Sequence, residues 1–239
     1  MYNRIQKNTT SMAYNTLFYV SFFSYVLLIL LFLMLADGAF NTANGQQMVI
    51  DDVEVTDYRG FSLETWYGQE ESWVILLFSP LKGLELAPAL MYTDDDVFGN
   101  IEAKYMFRAP GGNGPGIGLV SGAIWAPFIG FYTYVPVTFT LPEERAVINV
   151  NVGYEWEEAT SGHAATWGAR VDVPVLSLMT LLGEVFGSNG DTPDFQVGVR
   201  WTIVPDLLEM DTTYGNHFGK EHSGLGFAVG LAWTPSFRW

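Results

Sequence analysis

The sequence has no cysteine and only 3 histidines among its 239 residues. Without thiols there is no disulfide framework, no thiol nucleophile and no cysteine-based zinc site. Charge is scarce as well: 15 % of residues carry it, against roughly 25 % in soluble globular domains. That deficit counts against an ordinary cytosolic protein. Positive charge is scarcer still, with 11 Lys and Arg against 26 Asp and Glu and a net charge of −15. Such a chain does not neutralise a phosphate backbone, so nucleic acid is excluded as a partner. A phosphate-binding loop is missing too. The run Gly111-Gly112-Asn113-Gly114-Pro115-Gly116 lacks the Lys and the following helix, and reads as a turn.

Hydrophobic residues, by contrast, reach 49 % and aromatics 15 %, alongside 25 Gly. Disordered segments are poor in aromatics and β-branched residues, so disorder is excluded.

The first 45 residues read as an address. Arg4 and Lys7 are the only charges before Asp37, and an apolar stretch runs from Leu17 to Ala36. Its densest part, Val26 to Ala36, matches the core of a signal peptide, and the whole stretch is also long enough for a retained helix. Ala43-Asn44-Gly45 sets small residues ahead of Gln46, which favours cleavage there, and either way the chain leaves the cytoplasm. Removing 1–45 takes away Arg4, Lys7 and Asp37 and leaves 194 residues with 9 basic and 25 acidic side chains. Residues 46–58, with Asp51, Asp52, Glu54 and Asp57, form a periplasmic arm or a short plug.

From 59 to 239 the hydrophobic period is 2. In Ile101 to Arg108 every odd position is apolar and the even ones are mostly charged. Ile148, Val150, Val152, Tyr154 and Trp156 alternate with Asn149, Asn151, Gly153 and Glu155. Phe195, Val197, Val199 and Trp201 do the same against Gln196, Gly198, Arg200 and Thr202. Alternation over about ten residues means strands with two unlike faces. Twelve such segments are predicted, near 59–68, 72–79, 83–93, 99–109, 114–126, 129–140, 146–157, 164–173, 177–187, 194–203, 207–215 and 223–234. Ten remain if 72–79, continuously apolar from Trp73 to Phe78, and 129–140, with Pro136, are misread.

Short connections holding a proline alternate with longer polar ones at Thr93–Phe98, Glu158–His163, Gly187–Pro193 and Asn216–His222. Tight turns at one end and longer loops at the other describe an antiparallel up-and-down transmembrane β-barrel. The apolar face carries Tyr67, Tyr92, Tyr105, Phe107, Tyr154, Trp156, Trp167, Trp201, Tyr214 and Trp233 near strand ends, as interface girdles would. Outer-membrane lipid is then the partner of that face. A soluble sandwich would put Lys, Glu and Arg on its second face, whereas here that face is mostly Gly, Ala, Thr and Asn.

Inward parity collects the acids Glu64, Glu85, Glu102, Glu155, Asp172, Glu184, Glu209 and Asp211 and the bases Lys104, Arg108, Arg170 and Arg200. A wall of one dominant sign concentrates counter-ions, which makes these twelve the candidates for selectivity in a small, cation-preferring pathway. The competing reading pairs the charges across strands and closes the lumen. Counting from the turns sets Arg200 opposite Glu209 and Arg108 near Glu85. Inward Gly118, Gly122, Gly153, Gly168, Gly198, Gly226 and Gly230 favour open space.

Catalysis requires a nucleophile, a base and an orienter. His163, His217 and His222 all fall in connections, and no Ser-bearing strand motif lies beside one, so no catalytic residue is assigned. His217, Glu221 and His222 read as solvated loop residues rather than a metal site. No cofactor is implied.

Leu231, Trp233, Phe237 and Trp239 share one parity, and the sequence stops on an aromatic, with Pro235 interrupting. In this the chain resembles bacterial outer-membrane barrels, which implies recognition of the last strand, ending in Trp239, by barrel-assembly machinery. Three further stretches, Tyr134–Thr140 with Ile148–Tyr154, Leu181–Gly187, and Phe195–Gly215 with its Arg200, Pro205 and Glu209, resemble the outer-membrane transporters grouped with phenol meta-pathway proteins. The resemblance covers the C-terminal half and implies a roughly twelve-stranded barrel with a transport role. It brings no catalytic residues. The expected function is passive passage or uptake of small solutes across a bacterial outer membrane. A plugged structural or surface-interaction barrel working through its loops is the alternative, and a hydrolase at the rim the least favoured.

Overall fold

The computed structural model describes residues 48–236, apart from 69–70, 94, 112–113, 128, 159–161, 190–191 and 220–225. The leader expected over 1–45, and Trp239, lie outside the described residues.

Twelve strands follow one another: β1 (Phe61–Gly68), β2 (Ser72–Leu81), β3 (Leu84–Tyr92), β4 (Val97–Arg108), β5 (Gly116–Trp125), β6 (Gly130–Thr140), β7 (Val147–Glu157), β8 (Gly162–Leu176), β9 (Met179–Ser188), β10 (Asp194–Val204), β11 (Leu208–His217) and β12 (Gly226–Trp233). Each pairs antiparallel with its sequence neighbours, and β12 returns to β1 with Leu63 opposite Trp233. Closure leaves no free sheet edge. The twelve segments read from the alternation are these twelve strands, with ends shifted by three residues or fewer.

The two doubtful segments have clear physical reasons. In β2 both faces are apolar: Val74 and Leu76 are exposed on the outside, while Trp73, Ile75 and Leu77 line the inside. In β6, Pro136 has no N–H to give. The β5–β6 ladder runs through Ile117–Val137 and Val120–Tyr134 but has no pair at Pro136, where the strand cannot donate.

The connections differ from the expected contrast of short and long. At the rim where β1 begins, 109–115 and 141–146 are longer than 82–83, 177–178 and 205–207, and at the opposite rim only the β11–β12 connection has more residues than those two. Pro142–Glu144 fills one of the former with a 3-10 turn. Gly83, at φ +75°, makes the tight β2–β3 turn, a conformation costly for any residue with a Cβ.

The burial pattern is inside out. Glu85, Lys104, Arg170, Glu184, Gln196 and Asp211 are buried, whereas Phe227 and Val152 are 62 % and 61 % exposed on the outer face. The girdle aromatics gather at both rims. Phe61 meets Trp233 edge-on at 5.7 Å and Tyr105 meets Phe107 at 5.1 Å near the β1 start. At the other rim Phe131 stacks on Trp156 at 5.9 Å and Tyr214 leans on Phe227 at 4.9 Å. An apolar band between aromatic girdles is the surface a bilayer-spanning barrel presents.

Candidate functional site

The lumen is built by the even face of some strands and the odd face of others, and one further piece of chain enters it. Residues 48–56 lie against the inner wall of the barrel. The Glu184 carboxylate accepts the backbone N–H groups of Val49 and Ile50 at 2.9 and 3.1 Å. The Thr138 hydroxyl accepts the Val53 N–H at 3.0 Å. Glu85 accepts both the N–H and the hydroxyl of Thr56. Two ion pairs reinforce the attachment, Asp51 to Lys104 at 2.6 Å and Asp52 to Arg170 at 3.5 Å. Arg170 also donates to the Ile50 carbonyl, and Lys104 to that of Glu54 at 3.2 Å. Inward side chains thus satisfy much of this segment's irregular backbone, which a strand ladder would otherwise do. Partial enclosure, with the Asp52 charge beside it, raises the Glu54 carboxyl above its ordinary pKa, while Lys104 opposes the shift.

Several inward glycines are seats, not voids. A Cβ on Gly168 would stand 2.1 Å from Ile50 Cδ1, and one on Gly116 or Gly118 would meet the Val53 side chain at 2.4 or 2.9 Å. Gly122 accommodates Tyr132 and Gly230 accommodates Trp66 in the same manner. Small residues let the inserted segment and the wall aromatics approach the sheet closely.

Most of the charged candidates meet a partner. Arg200 grips Asp211 with two bonds of 2.8 and 2.7 Å, and Glu209 is the more distant neighbour at 3.7 Å. The expected Arg200–Glu209 register is therefore corrected: Thr202 faces Glu209, and Arg200 faces Asp211. The turn centres farther along, on Pro205–Leu207, and an irregularity between Thr202 and Val204 shifts the ladder. Glu85 lies opposite Lys104 rather than near Arg108. A second irregularity, between Met106 and Arg108, leaves Arg108 exposed at the rim, where it donates to the Pro115 carbonyl at 2.6 Å.

Arg170 pairs with Asp172 at 2.9 Å. Glu102 receives the hydroxyls of Tyr132 and Tyr134 at 3.0 and 3.4 Å. Glu155 lines a smaller cavity of about 470 Å³ at the rim away from the β1 start. Glu64 faces the main cavity.

The two tyrosines and the aspartates of the inserted segment are absent from the sequence-read set. The alternation of β6 puts Tyr132 and Tyr134 on its inner face. Asp51 and Asp52 stand in a stretch too short to show any period. Among the histidines, His217 bonds Asp194 and His163 bonds Tyr154. Glu221 and His222 lie outside the described residues. No group of three potential metal ligands forms among the described residues.

Beside the inserted segment a cavity of about 640 Å³ remains. Its lining extends from Glu71 at one rim to Thr234 at the other and is drawn mostly from β1–β4, β6, β10–β12 and the inserted segment. Nine carboxylates and three basic side chains face it.

A family model described as "Uncharacterised conserved protein UCP029691" matches residues 30–231. No curated protein matches the sequence. Among solved structures, the KdgM porin superposes with a TM-score of 0.59 at 11 % identity, covering 75 % of this chain and 99 % of that one. The NanC porin gives 0.55 at 10 % identity, over 72 % and 98 %. The COG4313 outer membrane channel from Pseudomonas putida F1 gives 0.54 at 11 % identity, over 80 % and 100 %. At such identities the likeness is one of fold, the closed barrel that the strand pairing also defines.

Proposed function

Given a chain that belongs to the family described as Uncharacterised conserved protein UCP029691 and folds as a porin-type barrel, we propose that it is a bacterial outer-membrane channel for small solutes. The observation that carries the reading is the cavity whose lining reaches from Glu71 to Thr234 past the inserted segment. The exposed apolar band and its aromatic girdles suit a bilayer. Residues 1–45 are the export signal in this reading, residues 46–58 an inserted plug, and assembly machinery takes hold of the C-terminal segment that follows β12. The same reading takes the chain as kin to the phenol meta-pathway transporters, on the likeness of stretches in β6–β7, β9 and β10–β11.

The preference is for cations. Nine carboxylates oppose three bases along the passage, and those bases already hold Asp51, Asp172 and Asp211, so the surplus field is negative. The KdgM porin has also been solved in complex with disordered oligogalacturonate. A polyanion of that kind would be repelled by this lining. Glu64, Glu102 and Glu209 are the candidates for setting the preference, with the paired Glu85, Lys104, Arg170, Asp172, Glu184, Arg200 and Asp211 fixing the shape around them. Glu155 and Arg108 act at the rims.

The test is single-channel recording in a planar bilayer under a salt gradient. Openings with a cation-side reversal potential that moves toward zero in Glu209→Gln support the proposal, and an anion-side potential overturns the preference. A heat-modifiable barrel that never conducts overturns the channel. The second reading would then hold, a plugged barrel acting through its rims, which the hydrogen bonds of residues 49–56 to the wall favour.

A further inference from the structure

Glu64 is the exception in the lumen. Every other described charged side chain facing inward from the strands has a hydrogen-bond or ion-pair partner, whereas Glu64 has none. It projects into the main cavity from β1, two residues before Trp66 on the same face. On β2, Ile75 lies opposite Glu64 and Trp73 opposite Trp66, and both line the same cavity. The four side chains make one continuous patch of wall. In that patch the Trp73 indole N–H is buried and also without a partner. Trp66 is 8 % exposed and packs with Met48 of the inserted segment.

A carboxylate partly withdrawn from water and left unpaired costs stability unless something else meets it. A stretch of wall that keeps such a group beside two indoles offers the two features that recognise an ammonium ion: a carboxylate that no basic side chain contacts and aromatic surface for cation–π contact. We propose that this patch is a binding station for small organic ammonium ions, with Glu64 as counter-charge and Trp66 and Trp73 as the surface for the apolar body. Lys104 and Arg200 attract Glu64 from a distance but make their close contacts with Asp51 and Asp211, so neither occupies its carboxylate. An anion would meet Glu64 with repulsion, and a neutral solute would leave it unpaired.

The inference deepens the cation-channel reading and rests on it for its physiological sense, but it is tested by binding as well as by current. Phenethylammonium is the probe, with phenylethanol as its neutral counterpart and phenylacetate as its anionic one. Titration calorimetry on the purified, detergent-solubilised protein is expected to show binding of phenethylammonium alone. Glu64→Gln should weaken it by about tenfold or more, the loss expected for one charge-assisted contact, while Glu143→Gln in the exposed 142–144 turn should not. Heat-modifiability on gels confirms that each variant is folded. In a planar bilayer the same probe should block potassium current, and the block should be relieved in Glu64→Gln. Equal binding of phenylethanol, or unchanged affinity in folded Glu64→Gln, overturns the station while leaving the channel intact. Binding without any current overturns the channel and leaves the station.

Discussion

Ile50 and Gly168 fit one another as side chain and seat: the space where a Gly168 Cβ would stand is only 2.1 Å from Ile50 Cδ1. The fit joins residues more than a hundred positions apart and ties the inserted segment to the middle of β8. The Ile50 terminus can swing aside, but Phe186 Cβ also stands 2.9 Å from the same point. Gly168→Val should therefore expel Ile50 at an overpacking cost of about 1–3 kcal/mol. Hydrogen exchange is the measurement, with the Val49, Ile50 and Val53 amides exchanging faster and the β8 and β9 ladders unchanged. Unaltered exchange at Val49 and Ile50 would show that this seat does not hold the segment.

Glu184 clamps the same segment from β9 by taking one N–H on each carboxylate oxygen. Glu184→Ala leaves two backbone donors unmet, a loss of about 1–3 kcal/mol at the segment. Single-channel current should rise as residues 48–50 come away from the wall. Glu184→Gln keeps one acceptor and should raise it less. Equal currents in wild type and Glu184→Ala would contradict the clamp.

The Arg200–Asp211 pair is bidentate, and Asp211 is 6 % exposed. Removing one member strands the other. Asp211→Ala should cost about 3 kcal/mol, the low end for a buried pair because Arg200 is 29 % exposed. Glu209→Gln, at 42 % exposure and 3.7 Å, should cost below about 1 kcal/mol. Urea unfolding in micelles separates them, and the double variant Arg200→Met with Asp211→Leu should be more stable than Asp211→Ala alone.

Val152 lies near the middle of β7, facing outward and 61 % exposed. Val152→Arg should reduce folding stability in lipid vesicles by about 2–4 kcal/mol. Glu143→Arg, on an exposed turn, should not. Comparable stability of Val152→Arg and wild type in vesicles would argue against a bilayer around this face.

The strands and their two faces were legible because a period of 2 is written into neighbouring residues. Even β2, with its unbroken apolar run from Trp73 to Phe78, and the proline-bearing β6 stood at the right places. The inward acids were legible for the same reason, since parity places Glu64, Glu85, Glu102 and Glu184 on the wall without knowledge of any partner. Partner choice was not. Arg200 faces Asp211, and Glu85 faces Lys104, because turn length and local irregularities set register, and a shift of one or two residues changes the pair. Reading the inward glycines as open space failed at Gly168, Gly118, Gly122 and Gly230, since the atoms that fill each seat come from other segments.

The sequence by itself determined an alternating chain of about twelve strands with an apolar outer face, an acidic inner face and aromatics at the strand ends, all properties of neighbouring positions. Only the tertiary structure decided that residues 48–56 enter the lumen, that Lys104, Arg170 and Arg200 are already engaged, and that Glu64 is left without a partner. The physical reason is separation along the chain: the bonds from Val49, Ile50 and Val53 to the wall span 135, 134 and 85 residues. Contacts of that range leave no periodic trace, and closure of the barrel brings their ends together.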